Sequence, residues 1–349
     1  MTEPLNPQRT DIAQLGEFGL IDYLTKQVKL RQPSSKLGVG DDAAIMDYGN
    51  KETLATTDLL LEGIHFDLSY TPLKHLGYKS AVVNFSDIYA MNGRPTQLLV
   101  SIGVSRRFSL EDVAEIYEGI HAACDFYGVD LVGGDTSSSL TGLMLSLTCL
   151  GEVEKGKAVR RSGAQNHDLI CVSGNLGAAY MGLQLLEREK RVFKGEKDFA
   201  PDFDGHEYLL ERQLRPEARR DIVEAFAAKG IVPTAMMDVS DGLSSEILHI
   251  CKQSDCGCRI YEDKIPIDYQ TASLCEEMNM NLTTAALNGG EDYELLFTVP
   301  LSLHERMEEW RDVRVIGYIC PKDEGSRLIS RDGNEFDIVA QGWNHMAEK

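Results

Sequence analysis

The sequence predicts an α/β (α+β) chain of two domains, and three observations carry that reading. Its 349 residues are enough for two units of ordinary size, each with its own core. Short strand-like runs alternate with helical ones. Each half also ends a strand in a turn that pairs glycine with aspartate. The charge count, 35 basic against 55 acidic residues, leaves −20 with histidine neutral, which argues against a nucleic-acid surface and against anionic membranes. The opening MTEPLNPQRT lacks a basic run followed by an apolar core, and no window approaches about eighteen uninterrupted apolar residues. A soluble cytoplasmic protein is expected.

The elements follow in order. Leu15, Phe18, Ile21, Leu24 and Val28 recur at helical spacing and predict an amphipathic helix over 15–30. Strands are expected around 43–48 and 53–57, a helix at 74–91, a strand at 96–104, a helix at 109–127, and strands at 129–133 and 143–153. This places a first domain at 1–155 and a second at 156–349. The second opens near Asp168, where LICVS runs into Gly174-Asn-Leu-Gly177 and a helical AAYMGLQLLERE. That spacing is too short for a dinucleotide fingerprint and reads as a plain turn. Residues 188–206 are charged and aperiodic, so an exposed loop or lid is expected. Pro216 opens a helix through Ala228, a strand reaches Asp238, a helix covers 243–253 and ELLFTV is a strand. Eight scattered cysteines in a chain of this size predict reduced thiols. His249, Cys251, Cys256 and Cys258 lack the paired spacing of a structural zinc site and read as packing.

Six aspartates, Asp42, Asp58, Asp87, Asp135, Asp238 and Asp241, sit where a turn beside an apolar stretch would present a carboxylate, and no Walker lysine loop accompanies them. Singly, each has an ordinary reading. Gly38-Val-Gly40-Asp41-Asp42 is a turn motif and Thr56-Thr57-Asp58 a capping box. Asp87 lies inside the helical run KSAVVNFSDIYAMNG, where it either faces water or points at a cation. Gly133-Gly134-Asp135-Thr136 closes a strand with glycines that would let backbone amides approach a phosphate. In Asp238-Val-Ser240-Asp241-Gly242, Asp241 can cap the next helix, which leaves Asp238 unexplained. Gly289-Gly290-Glu291-Asp292 is another acidic glycine turn. Together, clustered carboxylates repel one another unless divalent cations neutralise them, and magnesium holding a polyphosphate is the first candidate.

With GVGDD, TTD followed by His65, NFSD, GGDT, RRSG, DVSDG and GGEDYEL in this order, the chain resembles the thiamine-monophosphate kinase family over nearly its whole length. The resemblance implies the fold of the aminoimidazole ribonucleotide (AIR) synthetase superfamily: two α/β domains, and a β-barrel built across the interface of a homodimer. It implies magnesium ligation, by several ions, at Asp42, Thr56, Thr57, Asp58, Asp87, Asp135, Asp238 and Asp241. It further implies ATP contacts at Gly134, Asp135, Arg161, Ser240 and Tyr117, and contacts to thiamine monophosphate at His65, Glu291 and Trp343. Two relatives in the superfamily fit less well. A selenophosphate synthetase would carry a reactive cysteine near its N-terminus, and the first here is Cys124. A hydrogenase-maturation dehydratase would end in a cysteine-containing tail, and this chain ends HMAEK.

The reaction so implied takes ATP and thiamine monophosphate to ADP and thiamine diphosphate by direct in-line displacement. The nucleophile is a phosphate oxygen, largely ionised near neutral pH, so no acid or base is assigned and His65 positions the acceptor. An aromatic at Trp343 suits a cationic heterocycle, and Glu291 adds negative charge toward it. Two rivals stand beside this reading: a kinase or synthetase of the same superfamily with another acceptor, and a non-catalytic acidic cation-binding protein. The second accounts for neither Arg161 nor the glycine turns.

Overall fold

The computed structural model describes residues 35–37, 41–47, 49–192 and 203–341. The expected helix over 15–30, most of the expected loop at 193–202, and Trp343 lie outside the described residues.

The first unit is a six-stranded sheet in the order β1-β2-β3-β6-β4-β5, built from β1 (Ser35–Leu37), β2 (Ala44–Asp47), β3 (Lys51–Leu61), β4 (Arg94–Val104), β5 (Asp130–Ser138) and β6 (Met144–Glu154). All neighbours are antiparallel except β4 with β5. Strand alternation puts Leu98, Val100, Ile102, Leu145 and Leu147 on one buried face. Helix α1 (Leu73–Ala90) covers that face and buries Phe85, Ile88 and Tyr89 against it. It starts after Pro72 and stops where Asn92 turns left-handed at φ 61°. Helix α2 (Leu110–Tyr127) packs on α1 from outside. Its start is written in the sequence as a capping box between Ser109 and Asp112, and its end as Gly128 in the left-handed region.

The second unit is a seven-stranded sheet, β13-β12-β9-β11-β7-β10-β8. Its strands are β7 (Leu169–Ser173), β8 (Ala235–Asp238), β9 (Gly257–Tyr261), β10 (Leu295–Val299), β11 (Val313–Cys320), β12 (Ser326–Ile329) and β13 (Glu335–Asp337). β7, β8 and β10 are buried along their whole length, as their continuous apolar runs require. The helices are α3 (Ala178–Val192), α4 (Glu207–Leu214), α5 (Arg220–Lys229), α6 (Leu243–Ser254), α7 (Tyr269–Glu277), α8 (Leu282–Asn288) and the short α9 (His304–Glu308).

Two expectations are corrected. α3 runs on to Val192, so the charged stretch from 188 begins as helix. α5 starts at Arg220 rather than at Pro216, because the preceding residues are tied elsewhere: Ala218 N–H donates to the Tyr127 hydroxyl at 2.8 Å, and Arg219 is drawn to Glu294. The eight cysteines are free thiols. No helix among the described residues is long and apolar enough to cross a membrane.

α1 positions the site. It belongs to the first core but also touches β8 of the second sheet, and the segment joining the units runs beside both. Val159 N–H bonds to Met91 O at the end of α1 (3.2 Å), and Met236 N–H on β8 bonds to Arg160 O (2.9 Å).

Candidate active site

Where α1 meets β8, acidic side chains from distant parts of the chain converge. Asp42 precedes β2, Asp87 lies in the last turn of α1, and Asp238 ends β8. Each offers a carboxylate oxygen, and these oxygens lie within 4.8 Å of one another. Two hydroxyls fix their orientation: Thr56 Oγ1 on β3 donates to Asp87 Oδ2 and Ser86 Oγ to Asp238 Oδ2, each at 2.5 Å. Asp58 shares the Thr56 face of β3, two residues along.

The electrostatics are those of too much negative charge in too little water. Burial pushes the Asp58 carboxyl up to about 6. Burial, with Asp42 adding repulsion, pushes Asp238 up to about 7. Asp87 is held well above the ordinary carboxylate range by burial and then by Asp58, Asp238 and Asp42. Asp42 Oδ2 and Asp58 Oδ2 are buried without a hydrogen-bond partner. Oxygen-only donors, two of them orphaned, fit a hard divalent cation such as magnesium.

Arg161 is the cation beside this cluster. Its guanidinium reaches Asp42 Oδ1 at 2.5 Å, and its backbone N–H donates to Asp41 Oδ1 at 2.6 Å. Burial, with Asp42 next to it, still raises Asp41 to about 6. Arg161 Nε is buried and unpartnered, so the fork retains a donor for an anionic oxygen. Lysine offers no planar fork. Arg161→Lys is expected to raise KM for a nucleotide phosphate roughly tenfold and leave acceptor affinity unchanged. Steady-state kinetics with each substrate varied in turn checks this, and a change confined to the acceptor would remove Arg161 from the nucleotide site.

Other expected residues fall elsewhere. Thr57 is on the opposite face of β3 from Thr56, and its hydroxyl donates to Leu147 O at 2.9 Å. Asp135 pairs with Ser101, which is exposed on that same uncovered face. Strand alternation therefore separates both from the Asp42–Asp87–Asp238 group. The tight approach that requires glycine at 134 is to the next strand, since a Cβ there would lie 1.8 Å from Val100 O. Asp241 does not cap α6: Gly242 is the N-cap residue, without a side-chain cap, and Asp241 N–H donates to Glu246 Oε1 at 2.9 Å. Tyr117 packs against the first core, its ring 6.3 Å from His121, and no contact joins it to the cluster among the described residues.

Ser240 and Glu291 meet directly, Glu291 N–H donating to Ser240 O at 2.7 Å. His65 accepts at Nδ1 from Leu61 N–H at 3.0 Å, which places the proton of the neutral ring on Nε2. Glu291 does not present a free charge. Lys79 Nζ binds its Oε1 and Gln213 Nε2 its Oε2, each at 2.8 Å. Lys79 and Gln213 lie outside the quoted motifs, and Asp41 and Ser86 lie inside GVGDD and NFSD without having been given a role. For Lys79 a signal did exist, because it lies eight residues before Asp87, just over two helical turns along the same side of α1.

Residues 40–153 match the AIR synthase related protein N-terminal domain, and residues 165–329 match the corresponding C-terminal domain. The thiamine-monophosphate kinase of Aquifex aeolicus (strain VF5) is 36% identical, the alignment covering 96% of this chain and 99% of that one. The chain belongs to the thiamine-monophosphate kinase family. The kinase of Escherichia coli (strain K12) is 35% identical over 95% of this chain and 98% of its own. Among solved structures, AaThiL complexed with AMPPCP and TMP superposes with a TM-score of 0.81 at 35% identity, covering 97% of this chain and 99% of that chain. The hydrogenase maturation protein HypE in complex with ATP, at 17% identity and a TM-score of 0.67, covers 97% of this chain and 100% of that chain, and shares the fold. The two-unit α/β fold is thus that of the wider AIR synthase group, and the identity with the kinases extends nearly end to end.

Proposed function

We propose that this family member phosphorylates thiamine monophosphate with ATP, giving ADP and thiamine diphosphate by direct in-line transfer, the last step of making that cofactor. The observation that carries the reading is the Asp42–Asp87–Asp238 cluster with Arg161 bound to its edge. It occurs in a chain that aligns over nearly its full length with thiamine-monophosphate kinases. Asp42, Asp58, Asp87 and Asp238 would hold magnesium, with Thr56 orienting Asp87. When bound, the ions supply the positive charge that offsets repulsion between two anionic phosphates. Arg161 binds a phosphate of ATP through its remaining donor. His65 and the Glu291 loop orient the acceptor. No side chain need act as a base, since the attacking phosphate oxygen is already ionised.

The finer assembly also belongs to this reading. Leu59, Val132 and Met144 are 47%, 55% and 40% exposed on or beside the uncovered face of the first sheet. Exposed apolar side chains on an uncovered sheet face support a homodimer in which two such sheets close into a β-barrel. Thr57 and Asp135, on the same face, would then line the barrel, on the side of the sheet away from the Asp42–Asp87–Asp238 group. The protein would work in the cytoplasm.

ADP release tests the reaction. With ATP and magnesium, turnover is expected with thiamine monophosphate and not with thiamine or hydroxymethylpyrimidine phosphate, and chelation of magnesium is expected to stop it. Preference for either of the other acceptors would overturn the assignment. Light scattering is expected to give two chains per particle.

A further inference from the structure

We propose that Gln213 reads the acceptor, its side-chain carbonyl accepting a hydrogen bond from an amino group on the acceptor's heteroaromatic ring. This rests on the acceptor reading above and adds a specificity-determining residue to it.

Gln213 lies in α4 and is only 6% exposed. Its Nε2 donates to Glu291 Oε2 at 2.8 Å, and because an ionised carboxylate can only accept, that contact fixes which end of the amide is which. Its main-chain oxygen accepts from Lys79 Nζ at 2.9 Å, and Lys79 Nζ also holds Glu291 Oε1 at 2.8 Å. Both oxygens of Glu291 are therefore engaged, as are two polar atoms of Gln213. Gln213 Oε1 is the exception: it is buried without a partner.

An unsatisfied carbonyl inside a set of satisfied polar atoms is costly, and an N–H brought by a ligand would relieve the cost. Lys79 balances the charge of Glu291, so charge alone gives this corner little to select on. Discrimination falls to the hydrogen-bond pattern. Glu291, with 32% of its side chain open, is the member at the entrance. The aminopyrimidine of thiamine carries an exocyclic amino group, which is a donor of the required kind. An oxo analogue, with a ring carbonyl in its place, would set oxygen against oxygen.

The experiment compares kcat/KM for thiamine monophosphate and for oxythiamine monophosphate, with ATP and magnesium, in the parent protein and in Gln213→Leu. The parent is expected to prefer the amino acceptor by about tenfold or more. In the variant, KM for thiamine monophosphate should rise about tenfold while KM for ATP stays within about twofold, and the preference should shrink to about twofold. Gln213→Met, nearer in shape, serves if leucine disrupts folding. Equal use of the two acceptors by the parent overturns the proposal. So does an equal loss for both acceptors in the variant, which would make Gln213 a support for Glu291 and nothing more. A parent that turns over neither acceptor overturns the acceptor reading itself, and this proposal with it.

Discussion

Asp87→Asn is expected to lower kcat by roughly three orders of magnitude while leaving the fold intact. Asparagine keeps the shape and the acceptor oxygen for Thr56 but removes the charge a magnesium ion requires. In the metal-free protein burial and the neighbouring Asp58, Asp238 and Asp42 already push the Asp87 carboxyl toward its neutral form, so an uncharged asparagine adds no new repulsion. The variant should therefore melt no lower than the parent in the absence of magnesium. Mutants that fail through misfolding would melt lower, so loss of turnover at an unchanged melting temperature marks a ligand. The measurement is ADP release across a magnesium titration, paired with thermal melting in chelator. Activity near the parent's at limiting magnesium would take Asp87 out of the cluster.

The sequence made Asp87 legible because it breaks a local rule: a carboxylate among Val83, Ile88 and Met91 in a helix has to be explained. Asp42, Asp58 and Asp238 were legible as strand-end or turn carboxylates, and the helix expected at 109–127 matches α2 to within a residue at its start. What sequence order conceals is which side of a sheet a residue takes. Thr56 and Thr57 look equivalent in a motif, yet the period of two sends one hydroxyl to Asp87 and the other to Leu147. Asp135 is separated from the cluster in the same way. Lys79 and Gln213 carry no motif, and their meeting with Glu291 depends on how α1 and α4 approach across the chain, which no local pattern encodes. The turn at Gly174 offered a glycine without its reason. A Cβ there would lie 2.2 Å from Glu294 Oε1, so the residue is fixed by a buried carboxylate 120 positions away in a different strand region.

That carboxylate is the subject of the second large effect: Glu294→Gln is expected to destabilise the protein by about 3–5 kcal/mol. Glu294 is 2% exposed and lies between two arginines, with Arg212 at 2.9 Å from Oε1 and Arg219 on Oε2. Ser173 Oγ donates to Oε2 at 2.6 Å and in turn accepts from Leu295 N–H at 2.8 Å. Glutamine keeps the volume, but whichever way its amide turns, an NH2 group faces a donor. Arg212 is then left with Asp292, 3.8 Å away, and Arg219 with Asp221 at the surface. Two buried guanidinium groups would lose their shared counter-charge, a change that costs far more than a surface ion pair is worth. The effect should reach the acceptor site through the backbone. Glu291 and Tyr293 are both held at positive φ, 65° and 52°, in the segment that Glu294 anchors at one end and that Asp292 anchors through Gly177 N–H at 2.6 Å. Loosening that anchor releases strain which only the surrounding contacts maintain. Urea unfolding should show the stability loss, and kinetics on the folded fraction should show a raised KM for thiamine monophosphate with KM for ATP unchanged, because Arg161 is held by Asp41 and Asp42 rather than by this segment. A loss below about 1 kcal/mol would mean that the arginines reach water and that the network does not hold the loop.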